Sequence, residues 1–274
     1  RDWSSDVCSS DLLRSTSRDV TFEEGMARSS QLFEKLLKPF LDGVVLTDSR
    51  KVSNKVIREL IHWFIKGRPV LIDGGVAAAS EALAAGLDIE FNVEVNEIEK
   101  NLVKTSNGEY RGDAVVLAVD PVAACKLLKI PAPVMNYSES WYFEIPNGAI
   151  TSTYLRIGGV GPVINSIVLS NLAPSFAPAG RSLLVATSLI PSDELTIRAN
   201  LTSLWGCDTA NWRLIDRISI PNSLPLMAPG SPLVVDEQIR GIWIAGDWRA
   251  TPSQQGALLD RKSTRLNSSH VSES

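Results

Sequence analysis

Apolar residues first recur at helical spacing across residues 21–37, at Phe22, Met26, Leu32, Phe33, Leu36 and Leu37. Pro39 is predicted to end that helix, and residues 40–47 read as a connector. Residues 53–65 form a second amphipathic pattern, with Val56, Ile57, Leu60, Ile61 and Phe64 on one face and Gly67 as the stop. Gly74 and Gly75 then open an alanine-rich helix. Such a pair serves either close approach to a phosphate or tight packing of a helix on strands. The period next changes to two. Ile89, Phe91, Val93 and Val95 alternate in a strand predicted over 89–99, a second strand follows over 102–105, and Asn107-Gly108 signals a hairpin. Residues 114–119 are a continuous apolar run, the pattern of a parallel strand buried on both faces. Asp120-Pro121 ends it, and 122–128 begins a helix.

Beyond Lys129 prolines multiply and short strands dominate, over 141–145, 150–157, 163–169, 183–189 and 214–220. They read as an antiparallel sheet interrupted by one helix over 192–205, capped by Ser192 with Asp193 and Glu194 in its first turn. The last apolar run, 242–245, is a short buried strand ended by Gly246 and Asp247. Thr251-Pro252-Ser253 reads as a helix start, with a hydroxyl cap and a proline tolerated in the first turn. A strand, a Gly-Asp turn and a helix N-terminus suit an anionic or electron-rich ligand. Asp247 can accept hydrogen bonds from hydroxyls, and Gly256 admits a ring close to the backbone.

Ala245-Gly246-Asp247, Pro252-Ser253 and Gly256-Ala257 resemble the C-terminal FAD motif of the flavin-containing amine oxidase and phytoene desaturase superfamily. The resemblance implies an α/β fold with a partial FAD-binding Rossmann-like domain and a second, mixed-sheet substrate domain. It places Asp247 near the ribityl chain and pyrophosphate, and Gly256-Ala257 at the pyrimidine edge of the flavin, with Gly246 and Ser253 in the same turn. It also places the backbone of Val95 at the adenine, and counts Ala118, on the strand ending at Asp120-Pro121, on the cofactor side. Ile220-Pro221 and Ser223-Leu224-Pro225 match a step in the family's substrate domain. The implied division is 13–66 (helical part of the substrate domain), 67–125 (FAD domain), 126–232 (substrate sheet) and 233–260 (FAD domain again). Trp248 is a candidate for lining the substrate, as well as for the core. Trp141 and Tyr142 are weaker candidates, expected to be sheet packing. No acid or base for catalysis stands out.

Composition narrows the alternatives. The chain of 274 residues is 44% hydrophobic and 21% charged, enough for packed cores. A net charge of −4 argues against nucleic-acid binding. No run of eighteen apolar residues exists, so no membrane-spanning helix is predicted, and a cytoplasmic or membrane-peripheral location is expected. Cys8, Cys125 and Cys207 are too few and too scattered for a disulfide framework or a zinc site. His62, beside Trp63 and Phe64, reads as a core or interface histidine. Gly158-Gly159-Val160-Gly161-Pro162 fails as a dinucleotide fingerprint, because the proline breaks the required helix start. Residues 1–12 and 261–274 are serine-rich and aperiodic, and resemble translated sequencing adapter. With no GxGxxG in the chain, residues 13–260 are expected to be an internal piece of a longer flavoenzyme. Three readings follow. One is an FAD-dependent oxidoreductase moving hydride from a small organic or lipid-like substrate to flavin N5. The others are a non-catalytic escort protein of the same fold that binds prenyl or lipid groups, and a truncated chain without activity of its own.

Overall fold

In a computed structural model, described over residues 18–26, 31, 33–67, 70–158, 161–231, 238–249, 251–258 and 260, the chain divides into two compact units. One comprises 88–134 with the segment from 225 onward, the other 19–87 with 135–224. The resemblance implies boundaries at 66/67, 125/126 and 232/233. The adapter-like ends lie outside the described residues.

The larger unit is built on five strands: β5 (Met135–Pro146), β6 (Arg156–Ile157), β7 (Val163–Val168), β8 (Arg181–Ser188) and β9 (Arg213–Pro225), in the order β6-β7-β8-β5-β9. β5 and β8 are antiparallel, with Trp141 opposite Ala186 and Phe143 opposite Leu184. Successive side chains on a strand point to opposite faces, so Trp141, Phe143 and Ile145 share one. They are buried with Val168, Leu184 and Trp212 against Ile197 and Leu201. Each such side chain contributes roughly 1.5–3 kcal/mol on burial. Ile197 and Leu201 lie on a helix, Glu194–Trp205, whose cap is Asp193 and not Ser192: Asp193 accepts the Thr196 amide at 2.9 Å. The Ser192 amide instead donates to Glu139 Oε2 at 3.3 Å.

Several expectations for this unit are corrected. Only Arg156–Ile157 of the predicted 150–157 strand forms, because Asn171 Nδ2 donates to the carbonyls of Ile150 and Ser152 at 2.8 and 3.0 Å. Those carbonyls are satisfied without a ladder. β9 runs on through Pro221 to Pro225, which an edge strand tolerates because the missing N–H faces no partner. The helix predicted over 21–37 is one turn, α1 (Phe22–Gly25), closed by a Thr21/Glu24 capping box, followed by a π-helical turn over Phe33–Leu37. Pro39 does not stop a helix but starts one, α2 (Lys38–Val45), where its missing N–H costs nothing. α3 (Asn54–Lys66), capped by Ser53 and closed at Gly67, follows the sequence pattern. His62 on it is exposed, its ring 5.5 Å from that of Trp63, and is not a core histidine. α4 (Val76–Ala84) begins after Gly74 and Gly75, both at positive φ.

Glu139 is fully buried on β5 and its carboxylate is nearly saturated. Oε1 accepts Arg217 Nε (2.7 Å), Ser219 Oγ (2.9 Å) and the Tyr137 hydroxyl (3.1 Å), and Oε2 accepts Trp141 Nε1 (3.0 Å). Burial pushes its pKa up, but the bonds from Arg217, Ser219 and Tyr137 outweigh burial and hold it below the ordinary carboxylate value. A depressed carboxylate pKa stabilises the fold above the unfolded-state value of about 4.3, and that stability is lost as pH falls through the folded value. Glu139→Gln is therefore expected to cost about 1–3 kcal/mol at neutral pH. It should also flatten the loss of stability below about pH 4. Urea denaturation across pH tests this; an unchanged acid limb would contradict it.

The smaller unit holds two three-stranded sheets. β1 (Val95–Glu99), β2 (Leu102–Thr105) and β3 (Gly108–Arg111) form a meander, with Thr105 paired to Gly108 across the turn. The strand predicted from 89 starts only at Val95, because Asn92 sits at φ 59, in the left-handed region that interrupts extended chain. The second sheet orders β10 (Gln238–Ile239), β11 (Ile242–Ile244) and β4 (Val116–Leu117). Arg240 and Gly241, both at positive φ, make the β10–β11 hairpin turn. The run over 114–119 is not buried on both faces among the described residues: β4 is the last described strand in its sheet, Leu117 is buried, and Val116 and Val119 are 55% and 42% exposed. α5 (Pro121–Leu128), capped by Asp120, contributes Ala124, Cys125 and Leu128 to a core with Leu117, Ile242, Ile244 and Trp248.

Candidate functional site

β11 and β4 run parallel, with Trp243 opposite Val116 and Ile244 opposite Leu117. The Ala245 amide donates to the Leu117 carbonyl at 3.0 Å. Two parallel strands thus end side by side, which brings Ala118 and Gly246 to one edge of the sheet. All three residues of β11 are buried, so the chain must turn where Gly246 and Asp247 follow.

The turn is held by residues the sequence reading passed over. Asp260 Oδ2 accepts the Gly246 amide at 2.9 Å. Its Oδ1 lies 3.6 Å from Arg249 Nε, and both side chains are about 95% buried. Arg249 Nη1 in turn donates to the Ile244 carbonyl. A basic residue two positions past the Gly-Asp turn and an acidic one at the end of the following helix were the available signal. Opposite charges eleven residues apart meet only when a tertiary turn brings them together.

Asp247 opens a 3-10 turn, Asp247–Arg249, and is partly buried. Burial pushes its carboxyl pKa up; the backbone amides of Trp248 and of Asp247 itself pull it down but do not cancel that. No ion pair to it forms among the described residues. Trp248 is buried in the core cluster of the unit, and its Nε1–H has no hydrogen-bond acceptor among the described residues. The indole lies against Gly246, where a Cβ would stand 2.7 Å from Cδ1 and Nε1.

The helix over 254–258 starts at Ser253, whose Oγ accepts the Gly256 amide at 3.0 Å. The cap is therefore Ser253, and Pro252 precedes it instead of occupying the first helical turn. Gly256 has a role in the turn itself: a Cβ there would meet the Thr251 carbonyl oxygen at 1.9 Å. The Ala257 amide donates to the Ser253 carbonyl at 3.0 Å. The backbone donors of Gly256 and Ala257 are thus engaged within the helix start. Val95 stands on the other sheet of the unit, at the first residue of β1, and is 38% exposed. Among the described residues no hydrogen bond joins it to the strand–turn–helix. Trp141 is core and Tyr142 half-buried sheet, both in the other unit. Burial, then the charge of Asp120, pushes the Cys125 thiol up, which suits an inert core thiol. No helix among the described residues is long and apolar enough to cross a membrane.

No protein-family profile matches the sequence, and no curated protein does. Solved structures share the fold. An oxidoreductase from Methanosarcina mazei superposes with a TM-score of 0.73 at 12% identity, covering 94% of this chain and 70% of that one. A protein from Exiguobacterium provisionally assigned as a protoporphyrinogen oxidase gives 0.66 at 17% identity, over 96% and 71%. Reduced UDP-galactopyranose mutase gives 0.65 at 15% identity, over 94% and 72%. The chain therefore has an α/β fold of mixed helices and sheets that it shares with solved oxidoreductases.

Proposed function

We propose that this chain is part of an FAD-dependent oxidoreductase of the amine oxidase and phytoene desaturase type, with the 245–257 strand–turn–helix on the flavin. The observation that carries the proposal is Asp247. It is a partly buried carboxylate placed directly after a buried parallel strand, desolvated, and among the described residues met only by the backbone amides of Trp248 and of Asp247 itself. Folding gains little from such a group, whereas ligand hydroxyls supply the donors it lacks. The Trp248 Nε1–H beside Gly246 is a second polar group without an acceptor among the described residues. Shared fold with the Methanosarcina oxidoreductase and with a mutase described in its reduced state supports redox chemistry.

A bound FAD would supply the redox chemistry, as the hydride acceptor for a small organic or lipid-like substrate. The residues of this chain orient and hold. Asp247 would accept hydrogen bonds from hydroxyls on the ribityl side, while Ser253 and Gly256 fix the helix start beside it, whose dipole would favour an anionic edge. Arg249 and Asp260 keep the turn in place. Val95 and Ala118 complete the reading on the adenine and strand side.

The test is expression of the complete reading frame, which is expected to yield yellow protein. A raised carboxyl pKa means folding disfavours the ionised form, so Asp247 loses stability for the fold as pH rises from about 3.9 through the raised value. Asp247→Asn should therefore melt at the same temperature or higher at neutral pH while retaining less flavin. A variant that melts lower yet keeps its full complement of FAD would sink the assignment.

A further inference from the structure

The five-stranded sheet carries a second feature, within its own unit and independent of the flavin reading. β5 lies between β8 and β9, and Glu144 points to the face opposite Trp141 and Phe143. Arg181 at the start of β8 and Arg213 at the start of β9 flank it on either side. Arg181 donates through Nη1 to Glu144 Oε1; Arg213 donates to Oε2 through Nη2, and through Nε at 3.1 Å. The bond from Arg213 is the largest influence holding the Glu144 carboxyl below its ordinary value.

One carboxylate cannot saturate two guanidiniums. Each guanidinium has five N–H donors. Nε and Nη2 of Arg181 and Nη1 of Arg213 have no acceptor among the described residues. The three groups carry a net charge of +1. They border a cleft of about 560 Å³. Its wall is the segment at Phe176 and Pro178, folded back by a turn in which the Arg181 amide donates to the Pro178 carbonyl at 3.1 Å and Gly180 takes φ 77. Ile215, two residues past Arg213 on the same face, is 49% exposed and lines the cleft as well. Apolar walls with a few convergent polar groups are the usual make-up of a small-molecule site, and the volume lies in the usual range.

We propose that this cleft binds a small organic monoanion: a carboxylate on an aromatic ring or short apolar body. The body lies against Phe176, Pro178 and Ile215, and the carboxylate accepts from Arg181 and Arg213. Guanidinium–carboxylate pairs are short and directional, which favours a planar carboxylate over a halide. Glu144 lowers the affinity: it occupies donors of both arginines and offsets one of their charges.

The probe is 6-fluoro-2-naphthoate, followed by its ¹⁹F line width against the protein expressed from its complete reading frame. Saturable binding is expected, weakening as ionic strength rises. Arg213→Gln should raise Kd about tenfold, the value of one charge-assisted hydrogen bond. Glu144→Gln should lower Kd several-fold, because it frees both guanidiniums. The neutral alcohol of the same ring should bind more weakly than the acid. Absence of saturable binding, an unchanged Kd in Arg213→Gln, or weaker binding in Glu144→Gln with an unaltered circular dichroism spectrum would each overturn the proposal. Flavin content is a separate readout in the same samples, so failure here leaves the flavin reading standing, and the reverse.

Discussion

Gly256→Ala is expected to destabilise the protein by about 3 kcal/mol. Two effects oppose each other at this position. Alanine is a better helix former than glycine by about 1 kcal/mol, so on propensity alone the substitution stabilises. Against that, the new Cβ would stand 1.9 Å from the Thr251 carbonyl oxygen and 3.0 Å from its carbon. Both are backbone atoms, so no side chain can swing aside. The steric term wins, and relief requires the 251–256 turn to open. Opening also separates the Gly256 amide from Ser253 Oγ, so the helix loses its cap, worth about 1 kcal/mol. Urea denaturation of the purified variant checks this, and an unchanged or higher midpoint would refute it. Flavin retention should fall in parallel, because the helix start moves.

The second large effect is expected at Asp260. Asp260→Ala removes the acceptor of the Gly246 amide and leaves Arg249 as a buried cation without this partner. Breaking a buried pair from one side costs about 3–5 kcal/mol, since the remaining charge keeps its desolvation penalty. Removing both sides costs less than the sum. The double variant Arg249→Leu/Asp260→Leu should therefore be more stable than the two single losses predict, with a coupling of at least about 1 kcal/mol. Strict additivity in the cycle would show that Asp260 acts through the Gly246 amide alone.

Much of this was legible in the residue pattern. The alternation around Trp141–Phe143–Ile145, the buried run at Ile242–Ile244, the 53–65 helix and its Gly67 stop are local codes. Each depends on the spacing of apolar side chains or on a single glycine that closes a helix. The strand–turn–helix after Ile244 was visible for the same reason, and with it Gly246, Asp247, Ser253 and Gly256.

What the pattern could not show depends on partners distant in sequence. The apolar run 114–119 has the composition of a central strand, yet among the described residues β4 ends its sheet, because burial is decided by which strands pair on either side. The strand predicted at 150–157 fails because Asn171 takes its carbonyls, and no local rule anticipates a side chain from another loop. Gly256 looked like room for a ligand; in the fold it is room for Thr251. Arg249 with Asp260, and Glu144 between Arg181 and Arg213, are ordinary surface-type charges when read along the chain. The helix after Ser253 brings the first pair together, and the registry of β8, β5 and β9 brings the second. Spacing and capping along the chain fixed the type of most strands and helices and the face each buries, since those are short-range matters, but not every point at which they begin. The tertiary structure alone decided which charges meet, which edges stay open and which glycine is a spacer, since those are set by chain segments that become neighbours only on folding.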